Sequence, residues 1–401
     1  IINTPVVINA DNKIVLNAYN ERRHFYVEAN GSLTLQNITL VQGFNNTGGG
    51  GSIYNLGTLN LDGATILNSN VDVNRSGGAV LSSGGPVTIT DSRLENNTGG
   101  SGGGLYLIGE SADATVTNSI FRNNRAMAQP SPGNAPGGGA ISTWDGADVT
   151  IRHATLQSNQ AGWGGGAISS ESVATTITIE ANTQLISNTA TMVGGGIYNT
   201  EGSSLSVSNS TLSGNSARFG GGIHSGGSLS VSNSTLSGNS AETSGGGIYN
   251  FGSLSVSNST VSGNSAQRGG GIYTYGSSMT ISNSTISGNS AQDGGGIYTY
   301  GSSVTISNST IANSSTGGDC SGASDFTGDH NLIEDNSCGF SGGTDPMLGP
   351  LQDNGGPTLT HALLPGSPAI DTGASTLAAD QRGVARPQGS AADIGAFELI
   401  P

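Results

Sequence analysis

The residues that could support catalysis are concentrated between positions 122 and 153. They are three arginines, two aspartates and a histidine: Arg122, Arg125, Asp145, Asp148, Arg152 and His153. Hydrolysis of a glycosidic bond requires two carboxyl groups on one cleft, and lyase chemistry requires a base beside a charge-neutralising group. A polysaccharide-cleaving site could form here, but the regular part of the chain supplies no such pair, so we assign no catalytic residue.

A second candidate site is a row of aromatic side chains at regular spacing. One set occupies the same position of successive repeats, and a second set lies two positions later: Tyr198, His224, Tyr249, Tyr273 and Tyr298, then Phe251, Tyr275 and Tyr300. Aromatic faces spaced along a surface can stack on sugar rings, whereas neighbouring aromatic residues also pack on each other without any ligand. The tyrosines are thus a candidate glycan-binding row, with purely structural packing as the alternative.

Two cysteines, Cys320 and Cys338, lie in a segment rich in glycine, aspartate and asparagine. Their separation and the lack of further ligands favour one disulfide over a metal site, which indicates an oxidising compartment. Nearby aspartates do not have the spacing of a calcium-binding helix–loop–helix: Asp319, Asp325, Asp329 and Asp335. We therefore predict no metal site and no cofactor.

The aromatic spacing follows a repeat of 24 to 26 residues. One copy, beginning at Gly245, reads GGGIYNFGSLSVSNSTVSGNSAQR, and the isoleucine after the glycines recurs at positions 197, 223, 248, 272 and 297. Weaker copies extend the series back to Ile53. Each copy contains three short runs in which apolar and polar residues alternate, separated by glycine, serine or asparagine. The sequence therefore predicts an all-β fold, a right-handed parallel β-helix (β-solenoid) of about 25 residues per coil.

The register of the runs predicts the core. Ile248, Leu254, Val256 and Val261 of one copy point inward, and their equivalents in other copies stack on them as aliphatic ladders. Asparagines recur at two turn positions, where stacked amides can form hydrogen bonds between coils: 209/233/258/283/308 and 215/239/264/289.

Composition and charge exclude several functions. The chain of 401 residues has 67 glycines, 27 acidic and 12 basic residues, and a formal charge of −15. Nucleic acid is an unsuitable partner because no cluster of lysine and arginine could neutralise phosphates. No apolar stretch is long enough to cross a membrane, and no signal peptide is recognisable, so we expect that any export signal has been removed.

The charged residues of the regular repeats are better explained by a structural role than by catalysis. Arg218, Glu242, Arg268 and Asp293 precede successive glycine triplets, and their signs alternate from coil to coil. Such a ladder avoids placing like charges side by side. We therefore expect that the protein is not an enzyme.

The quoted motifs resemble those of secreted bacterial β-helix proteins with GGGIYN and NSTISGNSA repeats, and of polymorphic outer-membrane proteins. The sequence LGPLQDNGGPTLTHALLPGSPAIDTG, together with DQRGVARPQGSAADIGAFEL, resembles the choice-of-anchor Q domain. The resemblance implies export and display at the bacterial cell surface or outside the cell. It predicts a parallel β-helix over 1–312, a disulfide-containing loop or transition segment over 313–347, and a C-terminal cap over 348–401.

The pattern of the first residues predicts a β-strand at the start of the chain, and this strand predicts an assembly surface. Ile1, Ile2, Val6, Val7 and Ile8 would present an unpaired strand edge to the C-terminal region of another copy, and repeated contacts of this kind would form a filament. The predicted function is that of a noncatalytic extracellular or cell-surface structural protein acting in adhesion or end-to-end self-assembly. The alternative is a β-helix protein that binds or cleaves polysaccharide.

Overall fold

The computed structural model describes residues 1–127, 137–340 and 343–401. Every regular element in this part of the chain is a β-strand. Successive coils each contribute short strands to parallel sheets, as predicted for a parallel β-helix. Residues 128–136 of the predicted β-helix region and residues 341 and 342 of the predicted transition segment lie outside the described residues.

Contacts divide the chain into two compact units, Ile1–Leu205 and Ser206–Pro401. In the first unit, the first sheet contains two strands from most coils, and the second and third sheets contain one each. The first-sheet strands are Pro5–Asn9, Phe25–Val27, Ser32–Gln36, Ile53–Asn55, Thr58–Asp62, Val80–Ser82, Val87–Thr90, Leu105–Ile108, Ala114–Thr117, Ile141–Trp144, Val149–Arg152, Ile168–Ser170, Thr176–Glu180 and Ile197–Asn199. The second-sheet strands are Val15–Asn17, Thr39–Val41, Thr65–Leu67, Arg93–Glu95, Ile120–Arg122, Thr155–Gln157 and Gln184–Ile186. The third-sheet strands are Phe44–Asn45, Asn70–Val71, Thr98–Gly99, Arg125–Ala126, Gln160–Ala161 and Thr189–Ala190.

The second unit also has its strands arranged in three parallel sheets. Its first-sheet strands are Ile223–Ser225, Ser228–Ser232, Ile248–Asn250, Leu254–Ser257, Ile272–Tyr275, Ser278–Ser282, Ile297–Ser307 and Cys320–Thr327. The second-sheet strands are Thr211–Ser213, Thr235–Ser237, Thr260–Ser262, Thr285–Ser287, Thr310–Ala312 and Leu332–Ile333, and the third-sheet strands are Ser216–Phe219 and Ser240–Ser244. The strand Ser204–Ser208 includes the boundary between the units. Cys320–Thr327 and Leu332–Ile333 extend the sheets into the segment predicted as a transition.

Alternating side chains explain the strands. Ile248 pairs in register with Ile272, and Leu254 with Met279, so that equivalent inward residues stack from coil to coil. Ile248 and Val256 are fully buried, whereas Ser255 between Leu254 and Val256 is exposed. The predicted aliphatic ladders are therefore confirmed.

Glycine is required at the corner before each isoleucine. Gly245 has a φ of +68°, and a Cβ atom there would lie 2.5 Å from the carbonyl oxygen of Ile248. A Cβ atom on Gly246 would lie 2.4 Å from the carbonyl oxygen of Gly270 in the next coil. Any larger residue would force the stacked corners apart.

The predicted amide ladder is present inside the turns. Asn239 donates from its backbone N–H and from Nδ2 to the amide oxygen of Asn264, and Asn264 does the same to Asn289. In the first unit, Asn97, Asn124 and Asn159 form an equivalent chain. These amides satisfy buried backbone groups where the chain turns away from the sheets.

The C-terminal segment lies along the outer face of the second sheet of its own unit. Its antiparallel strands, Leu348–Gln352 and Thr360–Leu363, contribute to a small core that contains Leu363, Ile394 and Phe397. Gln381 bonds to Thr235 and Thr260 from adjacent coils, and the backbone N–H of Ala396 donates to Thr285. The segment predicted as a cap thus covers a side of the coils between Thr235 and Thr310.

Candidate functional site

The predicted aromatic row is a stacked column on the outward side of the first sheet in the second unit. The ring centroids of Tyr249 and Tyr273 are 4.8 Å apart, and those of Tyr273 and Tyr298 are 5.2 Å apart with planes within 8° of parallel. These rings are half-buried. The parallel register of their strands positions them, because each occupies the same place in successive coils.

A second column lies beside the first and is more exposed. Phe251, Tyr275 and Tyr300 have exposed fractions of 41%, 46% and 52%. The rings of Tyr275 and Tyr300 are 5.3 Å apart and within 6° of parallel, and Phe251 meets Tyr275 at a steeper angle. The structure therefore brings together five of the six tyrosines proposed for the glycan row.

The stacking determines which atoms a partner meets. Parallel rings about 5 Å apart face each other along the column, so each ring face inside it contacts another ring. The surface presents ring edges and phenol groups. Burial, reinforced by the neighbouring Tyr273, raises the pKa of Tyr249 to about 12, so its hydroxyl stays protonated and can donate a hydrogen bond.

Hydroxyl groups extend this surface across the same sheet. The strand Ile297–Ser307 runs without interruption from Tyr298 and Tyr300 to Ser303 and Thr305, all of which alternate with inward residues. Ser303 and Thr305 are exposed, as are their neighbours Ser278 and Thr280 in the adjacent strand. We call these two aromatic columns and the adjoining serine and threonine columns the aromatic–hydroxyl face.

Charged side chains border this face, and the exposed Asp325 pairs in register with Ser303 at the end of the serine column. Arg268 and Asp293 from adjacent coils approach to 3.6 Å, with both side chains about half exposed. The Arg268 guanidinium also lies 5.9 Å from the ring centroid of Tyr298. The predicted alternating ladder therefore contains this ion pair, which contributes at most about 1 kcal/mol because it is exposed.

Tyr198, the remaining tyrosine of the predicted row, belongs to the first unit. It is half-buried and meets Trp163 edge to face at 5.2 Å. Another pair in this unit, Tyr26 and Tyr54, is stacked at 5.2 Å, with Arg23 5.1 Å above the Tyr54 ring. Sequence reasoning missed this pair because the surrounding repeat is degenerate.

The charged residues between positions 122 and 153 do not converge on one cleft. Arg122 pairs with Glu95 at 3.0 Å, on the second sheet, and Arg152 pairs with Glu180, on the first. The carboxylate of Asp148 accepts the backbone N–H of Thr176. These side chains serve neighbouring coils and turns, and no acid–base pair forms from them in the described part of the chain.

A buried acid that the sequence analysis missed lies in the first unit. Glu171 is 7% exposed, and its Oε1 accepts the backbone N–H of Gly137 at 3.2 Å. Burial raises the pKa of Glu171 to about 8. The pKa of Tyr106 is also raised, mainly by burial and to a smaller extent by the negative charge of Glu171. The sequence gives no sign of this burial, because a glutamate one residue after a strand is usually exposed. The burial is visible only in the folded structure.

The predicted disulfide is confirmed, since Cys320 and Cys338 are bonded. Near it, Asp319 accepts backbone N–H groups of Glu334 and Asp335, and burial raises the pKa of Asp319 to about 6. No group of three or more acidic, histidine or cysteine side chains in residues 1–127, 137–340 and 343–401 has the arrangement of a metal site.

The residues proposed for assembly lie on and before the first strand. Ile1 and Val7 are exposed, Val6 and Ile8 are half-buried, and Ile2 forms a parallel bridge with Val27. The strand Pro5–Asn9 pairs in parallel with Ser32–Gln36. Self-association through these residues stays a prediction.

In the described ranges no helix is long and apolar enough to cross a membrane.

Comparison with known families agrees with this architecture. Residues 17–183 and 270–349 match the right-handed β-helix region, which covers more than half of the chain. The chain belongs to the right-handed β-helix family. The predicted handedness is therefore confirmed for this all-β fold.

A shorter match links the repeats to surface proteins. Residues 233–250 match the repeat of the Chlamydia polymorphic membrane proteins. The two matches together fit a surface-associated β-helix protein. No curated protein and no solved structure matches the chain.

Proposed function

We propose that this chain is a noncatalytic structural protein of the cell surface or extracellular space, which adheres to partners through the aromatic–hydroxyl face. The observation that carries the proposal is the exposed column of Phe251, Tyr275 and Tyr300 beside rows of exposed hydroxyl groups. Contiguous exposed apolar surface is uncommon on soluble monomers and marks interaction sites.

The stacked columns suit adhesion because they are ordered before binding. Each ring is held by its neighbours and by the sheet, so contact with a partner costs little side-chain entropy. Aromatic side chains combine large contact area with a polar group, which explains their enrichment at interfaces.

The chemistry of the face favours an uncharged, hydroxyl-rich partner. Phenol and aliphatic hydroxyl groups both donate and accept hydrogen bonds, and polysaccharide hydroxyls do the same. The partner surface that fits best is therefore an extended neutral glycan, which contacts ring edges and hydroxyl rows rather than a series of ring faces.

Catalysis is less well supported. The charged residues proposed for cleavage are distributed over two sheets and a turn, and Glu171 is buried. Glycoside hydrolysis instead needs two carboxyl groups flanking an accessible bond. The polymorphic-membrane-protein repeat also supports a noncatalytic surface protein.

Binding to insoluble polysaccharide tests the proposal. The wild type, a triple variant with Phe251→Ala, Tyr275→Ala and Tyr300→Ala, and Tyr19→Ala are incubated with microcrystalline cellulose and with chitin. Tyr19 is a matched control because it is 70% exposed but lies in the first unit. We expect the wild type and Tyr19→Ala to adsorb to at least one solid, and the triple variant to lose at least about tenfold in affinity, about 1.4 kcal/mol.

Failure of the wild type to bind either solid, or equal binding by the triple variant, would refute glycan adhesion through this face. Release of soluble sugar would support the polysaccharide-cleaving alternative instead. Light scattering on the same samples detects the competing outcome, self-association into filaments.

A further inference from the structure

A cleft in the second unit lies between the C-terminal segment and a ladder of turn asparagines. Its volume is about 370 Å³, within the range common for small-molecule sites. One wall is formed by Asn209, Asn233 and Asn258 from three successive coils, and the other by the loop Leu377–Gly383. The cleft is separate from the aromatic–hydroxyl face, and neither the proposed adhesion nor the family matches assign it a role.

The amide wall contains unused hydrogen-bonding capacity. Asn258 is 5% exposed, and its Nδ2 donates to Asn233 Oδ1 at 2.7 Å and to the Ala379 carbonyl at 3.3 Å. Its Oδ1 is buried without a hydrogen-bond partner. Asn209 is half-buried and lines the cleft at the end of this wall. A buried acceptor left unpaired costs about 1–3 kcal/mol, and the more accessible amides of this wall are those of the half-buried Asn209 and Asn233.

In later coils, the equivalent turn asparagines form hydrogen bonds with the C-terminal segment of the protein itself. The amide oxygen of Asn308 accepts the backbone N–H of Ala374 at 2.6 Å, and that of Asn283 faces Arg386 at 3.5 Å. These asparagines and those of the cleft have the same left-handed turn conformation. The C-terminal segment therefore demonstrates that the ladder can bind polar groups, and it leaves the end at Asn209 open.

The other groups of the cleft determine the kind of ligand. The Asp380 carboxylate is fully buried, pairs with Arg382 at 2.7 Å and accepts backbone N–H groups of Arg382 and Val384. Its charge is thereby neutralised within the wall. Exposed Pro357 and Leu377 add apolar surface at the edge. Amides that donate and accept, next to apolar carbon, match the hydroxyl groups and C–H face of a sugar ring.

We propose that this cleft binds one neutral sugar unit, with hydroxyl groups on the amides of Asn209 and Asn233 and the ring carbons against Leu377. The ligand is a neutral mono- or disaccharide, free or at the end or branch of a glycan chain.

Ligand-observed NMR with cellobiose, maltose and N,N′-diacetylchitobiose at millimolar concentration tests the proposal. Leu377→Trp fills the cleft from an exposed position, and Asn209→Gly removes an amide while keeping a residue that tolerates positive φ. Asn118→Gly is the matched control, because Asn118 has the equivalent turn conformation, φ +48°, but lies in the first unit and outside the cleft.

We expect at least one disaccharide to bind the wild type and Asn118→Gly equally, with the dissociation constant raised about tenfold or more in Leu377→Trp and Asn209→Gly. Absence of binding by all three probes, or equal binding by all four proteins, would overturn the proposal. Circular dichroism melts establish that each variant is folded. The triple aromatic variant should retain disaccharide binding, which separates this site from adhesion.

Discussion

The side-chain oxygen of Asn264 accepts two hydrogen bonds from Asn239, one from the backbone N–H and one from Nδ2, each 2.9 Å long. Asn264 in turn donates from Nδ2 to the carbonyl oxygen of Leu236 at 3.0 Å. Each amide therefore joins adjacent coils and also holds the turn of the preceding coil.

Replacing Asn264 by alanine should destabilise the second unit strongly. The substitution leaves the backbone N–H of Asn239 and the carbonyl of Leu236 without this partner, whereas Asn239 Nδ2 keeps its hydrogen bond to the carbonyl of Leu212. Each unsatisfied group costs about 1–3 kcal/mol. We expect a loss of roughly 2–5 kcal/mol in the free energy of unfolding, measured by denaturant titration. Ser255→Ala, at an exposed outward position, should change it by less than about 0.5 kcal/mol. Similar effects of the two variants would contradict the structural role of the ladder.

Glu171 should make stability depend on pH. The carboxyl has an ordinary pKa of 4.5 when unfolded and about 8 when buried, so the folded state holds its proton more tightly. Stability is fully present below pH 4.5 and falls as pH rises towards 8, by at most about 1.4 kcal/mol per pH unit.

Glu171→Gln does not titrate, so its stability relative to the wild type should increase between pH 4.5 and 8. Thermal unfolding at a series of pH values measures the difference. Glu110→Gln, at an exposed position, is the control. Parallel curves for the wild type and Glu171→Gln would show that the buried acid does not contribute.

The disulfide should stabilise the segment that follows the last aliphatic ladders. Cys320 and Cys338 close a loop with a sequence separation of 18, for which chain-entropy arguments give about 3 kcal/mol. The double variant Cys320→Ser with Cys338→Ser should lose stability of this order in denaturant titrations. A reducing agent should lower the stability of the wild type and leave the double variant unchanged. A stabilising effect of reduction would contradict the prediction.

Gln381 should control attachment of the C-terminal segment. Its amide donates to Thr235 Oγ1 at 2.9 Å and accepts from Thr260 Oγ1 at 2.7 Å. Gln381→Ala removes both contacts and should increase amide hydrogen exchange within 348–399 while the strands of the first sheet keep their protection. Gln388→Ala, at an exposed position in the same segment, is the control. Unchanged exchange in Gln381→Ala would mean that other contacts suffice to hold the segment.

The sequence predicted the coil architecture well because near-identical repeats place equivalent residues in register. Ile248 and Ile272 are in the same position of their copies, and their pairing follows from that alone. The stacking of Tyr273 on Tyr298 was harder to predict, since spacing indicates proximity but not ring orientation.

The features that sequence reasoning missed depend on contacts between distant residues. Gln381 and Thr235 are 146 positions apart, and nothing in either repeat or segment indicates that they meet. Glu171 acquires its raised pKa from burial, which exists only in the folded chain. Long-range packing of irregular segments carries no periodic signal.

The lateral C-terminal segment has a consequence for how the gene can vary. Each coil contacts chiefly its neighbours, so duplication or loss of one repeat is tolerated where only ladders join the coils. The segment, however, contacts Thr235, Thr260, Thr285 and Asn308 at once and spans a fixed number of coils. Length variants are therefore expected among the coils of Ile1–Leu205. The number of coils between Thr235 and Asn308 should stay constant, because the C-terminal segment can span only a fixed distance.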